Sequence, residues 1–159
     1  MTPIDIEDEP PLELADADRA VLNARIRDAR TSVRDIATET GIVANRVDDR
    51  LTRLENAGVI RGYTARVDYD ALGYDVTAIL RLSTTDDAVL DRLREDPQFI
   101  AVYAVTGRDD VVAVGKFHGT DQLNSAATEL LTADDVQTVD ASVALDVVRE
   151  FEPFELDAE

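Results

Sequence analysis

Three arginines, Arg46, Arg50 and Arg53, recur at i, i+4 and i+7 within residues 44–57. On a helix they form one stripe, roughly 100° round from an apolar stripe of Val43, Val47, Leu51 and Leu54. A guanidinium is planar, permanently charged and forked, so it suits the edge of guanine or a backbone phosphate. A helix that buries one stripe and offers the other fits the major groove of a duplex. The same pattern also fits a solvated basic edge on an ordinary surface helix. Other reactive groups are scarce. The chain has no cysteine and a single histidine, His118, which excludes thiolate chemistry and multi-histidine metal centres. Aspartate pairs occur at 86–87, 109–110 and 134–135, but each falls at a helix start or a turn, where aspartate caps backbone amides. No catalytic residue, metal site or cofactor is expected.

The elements that must carry the arginines are legible. Gly58 supplies a left-handed position that ends their helix. Before it, residues 31–41 read as a short helix with a Thr31 or Ser32 N-cap and apolar Val33, Ile36 and Ala37. Ala37 followed by Gly41 permits close helix approach and then a sharp turn, as in a helix-turn-helix. Asp16 or Asp18 opens a first helix with Val21, Leu22, Ala24 and Ile26 available for the interior. Residues 59–68 form an extended connector containing Arg61 and Arg66. These two arginines either flank DNA or keep a sheet edge soluble.

The charge is distributed unevenly. The 159 residues carry 34 acids against 16 bases, a net −18, and Lys116 is the only lysine. Residues 1–13 hold five acids and no base, and residues 67–159 sum to −15. Residues 14–66, with eight acids and ten arginines, sum to +2. The positive charge therefore lies with the helix-turn-helix pattern, the asymmetry that a phosphate-facing surface needs. Abundant aspartate with almost no lysine resembles proteins of haloarchaeon-like organisms that keep molar salt in the cytoplasm, where the Debye length falls to about 3 Å. No apolar run approaches a membrane span and the N-terminus is acidic, so a cytoplasmic protein is expected.

The second half alternates: strand 75–83, helix 87–96, strand 99–106, a turn at 107–110, strand 111–117, helix 121–131 and strand 136–148. The order β-α-β-β-α-β predicts a ferredoxin-like domain, with two helices on one face of a four-stranded antiparallel sheet. Its other face is partly apolar, so pairing of subunits is expected. The predicted organisation is an acidic flexible arm (1–13), a helix-turn-helix domain (14–60), a strand linker (61–74), an α+β domain through which subunits pair (75–150) and an acidic tail (151–159).

A winged-type helix-turn-helix, a strand linker and a ferredoxin-like domain together resemble the Lrp/AsnC, or feast/famine, family of transcription regulators. Asp18 with Val21 and Leu22, Ile36-Ala37 with Gly41, and above all Arg50-Leu51-x-Arg53-Leu54-Glu55-x-x-Gly58-Val59-Ile60-x-Gly62-Tyr63 carry the resemblance. Val105-Thr106-Gly107-x-x-Asp110 is similar to that family's effector-domain turn. The resemblance implies a homodimer, or a higher assembly of dimers, that binds double-stranded promoter DNA. Arg50 and Arg53 would contact DNA, with Asn45, Arg46 and Asp49 on the same exposed side and Arg61 flanking the duplex from the connector. It further implies an amino-acid effector near Gly107, Asp109 and Asp110. Two features depart from the family. Val43 stands where a capping serine is usual, at a cost of about 0.5–2 kcal/mol, and Asp48 and Asp49 place acids near phosphates. The competing reading is a ligand-sensing oligomeric module with a weak or vestigial DNA-binding domain.

Overall fold

The computed structural model describes residues 12–157. Most of the acidic arm anticipated at 1–13 thus lies outside the described residues. The chain divides into two units.

The helical unit holds α1 (Asp16–Arg27), α2 (Val33–Thr40) and α3 (Ala44–Asn56). The N-cap of α1 is Ala15, not an aspartate; Asp18, three residues on, accepts the Ala15 amide at 3.1 Å and so serves the cap from inside the helix. Ser32 caps α2 by accepting the Asp35 amide at 3.1 Å, and Gly41 closes it at φ 71°. Val21, Ala24, Ile36, Val47 and Leu51 form the small core, with Val33, Ala37, Ile42 and Ile60 packed against it. The apolar stripe of α3 begins at Val47. Val43 is 64% exposed, because it occupies the N-cap with extended dihedrals and its side chain leaves the helical wheel. No side chain caps α3.

Two further findings correct the expected layout. Residues 61–74, expected as a strand linker, contain no strand, because nothing among the described residues pairs with them. The tail is neither loose nor separate: residues 151–157 belong to the helical unit. Asn23 of α1 holds the backbone of Leu156 at two points, donating to its carbonyl (2.9 Å) and accepting from its amide (2.8 Å). Glu152 pairs with Arg66 at 2.6 Å and Glu155 with Arg27 at 3.4 Å.

The α+β unit runs β1 (Val76–Thr84), α4 (Ala88–Glu95), β2 (Phe99–Ala104), β3 (Val111–Phe117), α5 (Thr120–Leu131) and β4 (Val136–Val143), preceded by a single 3₁₀ turn at Asp70–Leu72. The strands order β2-β3-β1-β4 with every pairing antiparallel, the ferredoxin-like arrangement. Alternation puts Ala78, Leu80 and Leu82 of β1 and Val111, Ala113 and Phe117 of β3 on one face. There they meet Val89 and Leu93 of α4 and Leu123 and Leu130 of α5. Gly115 makes room for the Phe117 ring: a Cβ there would lie 2.7 Å from it. The last strand stops at Val143 rather than at residue 148, and Leu145 and Val148 beyond it are exposed. No helix among the described residues is long and apolar enough to cross a membrane.

Candidate nucleic-acid interface and ligand cleft

The arginine stripe of α3 does not behave as one surface. Arg46 is exposed, as are its neighbours Asn45, Asp48 and Asp49. Arg50 and Arg53 instead turn back to α1. Asp18 is 0% exposed; its Oδ1 accepts Arg50 Nη1 at 2.5 Å, and its Oδ2 accepts Arg53 Nη2. Burial alone would push the Asp18 carboxyl up. Hydrogen bonds from Arg50, the Ala15 amide and Arg53 outweigh that and hold it below the ordinary carboxylate range. Arg50 is 29% exposed and its Nε is buried without a partner among the described residues, whereas Arg53 is 57% exposed. The expectation of three free guanidiniums is thus corrected to one free and two clamped. A helical wheel gives the angle of a side chain, not the partner it meets.

The long signature turns out to be a structural lock. Leu51 and Leu54 are core, and Glu55 accepts the Tyr63 hydroxyl at 2.7 Å while Arg25 lies 5.5 Å over the Tyr63 ring. Burial and Glu55 together raise the Tyr63 hydroxyl above its usual pKa. Gly58 at φ 70° lets the amides of Val59 and Ile60 reach the Leu54 carbonyl, which ends α3 and starts the connector. Arg61 is exposed in that connector. The role of Asp18 as anchor was not foreseen, although its presence among the family-like positions was the available signal.

The three predicted effector residues do not converge. Asp110 is stitched into the sheet: its Oδ2 accepts the Thr84 amide at 2.8 Å, its own amide bonds Leu82 O and its carbonyl takes Val105 N, both at 2.9 Å. A carboxylate spent on backbone in this way has less to offer a ligand. Gly107 serves the turn at φ 126°. Asp109 alone of the three lines a cleft of about 400 Å³ on the face away from the helices, with Arg81, Ser83, Arg108, Thr138 and Asp140 among its walls. Two cations and two anions around one opening can receive a carboxylate and an ammonium together. Sequence reasoning missed Arg81, Arg108 and Asp140, which come from three different segments. Of the other acid pairs, Asp86 accepts the Ala88 amide at 2.8 Å at the start of α4. Asp135 pairs with Arg92 at 2.7 Å, and that hydrogen bond lowers its pKa despite burial. Among the described residues no group of three or more acids and histidines could hold a metal ion.

The chain thus holds a three-helix unit with a helix-turn-helix and, after it, a split βαβ unit with a four-stranded antiparallel sheet. Comparisons with known proteins agree. Residues 14–61 match the winged helix-turn-helix DNA-binding family and residues 77–154 the Lrp/AsnC ligand binding domain. An HTH-type transcriptional regulator of Pyrococcus furiosus is 32% identical over 142 residues, 87% of this chain and 96% of that one. Among solved structures, a transcriptional regulator of Neisseria meningitidis in complex with L-Met superposes with a TM-score of 0.82 at 22% identity, covering 91% of this chain and 97% of the other. The leucine response regulatory protein of Mycobacterium tuberculosis gives 0.80 at 24% identity, covering 90% and 100%. The chain belongs to the Lrp/AsnC family, whose members are DNA-binding transcription regulators and not enzymes.

Proposed function

We propose that the N-terminal half of α3 reads promoter DNA, with Asn45, Arg46 and Asp49 facing base edges and Arg61 gripping a flanking phosphate. The observation that carries this reading is the exposure of Asn45, Arg46 and Asp49 on α3 and of Arg61 in the connector beyond it, in the one segment of the chain with a positive charge balance. Arg can take guanine bidentately, Asn can take adenine, and Asp can accept from cytosine N4. Arg50 and Arg53 enter through their hold on Asp18 rather than as free readers. Arg46→Ala should weaken binding to a duplex recovered from genomic fragments at high potassium chloride at least tenfold. Undiminished affinity and specificity would remove α3 from recognition.

The cleft around Asp109 takes an amino acid, its ammonium on Asp109 or Asp140 and its carboxylate on Arg81 or Arg108. The L-Met complex of the Neisseria relative supports this class of effector. Subunits pair through the α+β unit, where Val143, Leu145 and Val147 stand exposed along and beyond edge strand β4. The protein works as a cytoplasmic homodimer or larger assembly in a salt-accumulating, haloarchaeon-like cell, consistent with 23 aspartates and a single lysine. Light scattering across a potassium chloride series, with and without amino acids, tests the assembly.

One observation favours the competing reading of a sensing module with a vestigial DNA domain: Asp48 and Asp49 lie exposed beside Arg46. That reading requires ligand-dependent assembly without any duplex binding.

A further inference from the structure

We infer that Asp18 is a specificity-determining residue: its buried carboxylate withholds Arg50 and Arg53 from the DNA backbone and leaves discrimination to Asn45, Arg46 and Asp49. This rests on the reading of α3 as the recognition helix.

The geometry is specific. One fully buried side chain receives three donors, Arg50 Nη1 at 2.5 Å on Oδ1, and Arg53 Nη2 and the Ala15 amide, the latter at 3.1 Å, on Oδ2. Asp18 sits in the first turn of α1, whose amides also favour a negative charge there. A guanidinium that left for a phosphate would strip a donor from a carboxylate sealed from water, a loss that is greater for Arg50, 29% exposed, than for Arg53, which is 57% exposed and partly screened by solvent. Arg50 is further committed because its Nε is itself buried.

The consequence follows from what phosphate contacts do. They add affinity to every sequence equally and carry no base information. Two free guanidiniums on a recognition helix would raise non-specific binding along with specific binding, and so compress the ratio between them. Asp18 reduces the cluster of two arginines and one aspartate to a single net positive charge and engages one amino group of each guanidinium. Arg46, one turn earlier, has no such tether in the described contacts and remains for readout.

The test uses the full chain, a duplex selected from genomic fragments and a scrambled duplex, with affinity measured by fluorescence anisotropy over a potassium chloride series. Each phosphate contact contributes about 0.9 to the slope of log K against log salt. Arg53→Gln, which leaves Arg50 and Ala15 on Asp18, should keep the wild-type slope, whereas Arg46→Ala changes affinity for the selected duplex most. Asp18→Asn, checked for native circular dichroism, should steepen the slope by about one to two contacts and lower the selected-to-scrambled ratio at least fivefold. A slope shallower by about one contact in Arg53→Gln, or an unchanged slope and ratio in folded Asp18→Asn, overturns the inference. If Asp18→Asn does not fold, the Arg53→Gln slope decides alone. Failure of the wild-type chain to bind any duplex would instead sink the recognition-helix reading.

Discussion

The two units of this chain solve the same problem with different physics. The α+β unit buries eleven apolar residues between sheet and helices, among them Leu80, Leu82 and Phe117. The helical unit gathers only five in its core cluster and adds a buried carboxylate with two arginines on it. Apolar burial is non-directional and insensitive to pH. A buried ion pair is directional, titrates, and is strongly destabilising once half-broken. The DNA-binding unit thus carries the polar, condition-sensitive lock, and the sensing unit carries the robust core. The lesson concerns placement: a charge network that aligns α3 with α1 also governs which of its arginines remain free.

The sharpest way to break this contrast is a cavity in each core. Phe117→Ala removes a fully buried ring wedged over Gly115 and against Phe99, and should cost the α+β unit about 3–5 kcal/mol in urea unfolding. A loss under 1 kcal/mol would mean that this core is less closely packed than its contacts imply. Next comes Asp18→Leu, which removes the buried carboxylate and leaves two partly exposed arginines to solvent; a loss of about 1–2 kcal/mol confined to the helical unit is expected. Equal losses in both units would erase the distinction between the two kinds of lock.

The acid response should differ as well. The Asp18 carboxyl is lowered in the folded state, so its contribution is present above the unfolded value of about 3.9 and disappears as pH falls through the folded value. Acid titration followed by circular dichroism of the helices should show a loss below pH 4 that Asp18→Asn flattens. Val43→Ser should restore a side-chain cap to α3 and stabilise the helical unit by about 1 kcal/mol; an unchanged melting temperature would mean that the cap is already replaced. The smallest effect belongs to the tail. Asn23→Ala removes both bonds to Leu156 and should cost about 1 kcal/mol in the helical unit, with no change in the α+β unit.

Much of the architecture was readable because it is local. Period-two alternation in residues 76–84 and 111–117 located β1 and β3, and glycines at 41 and 58 marked turns that require positive φ. Misreadings arose where a residue left the regular lattice. Val43 kept helical spacing but had already adopted extended dihedrals, so it lost its place in the apolar stripe. Residues 144–148 continue the apolar run of β4 in sequence, yet the ladder ends at Val143, where Ala78 of β1 is its last partner.

Composition and periodicity were enough to specify two units, their element order and the helix that carries Arg46, because each depends on spacing along the chain. Partners distant in sequence were decided only by tertiary packing. Arg50 and Arg53 point to Asp18, 32 and 35 residues away, and Asp110 is taken by Thr84, 26 residues away. The physical reason is that an ionised side chain in a folded protein goes to the counter-charge or amide whose desolvation it must offset, and no local pattern encodes where that group will lie.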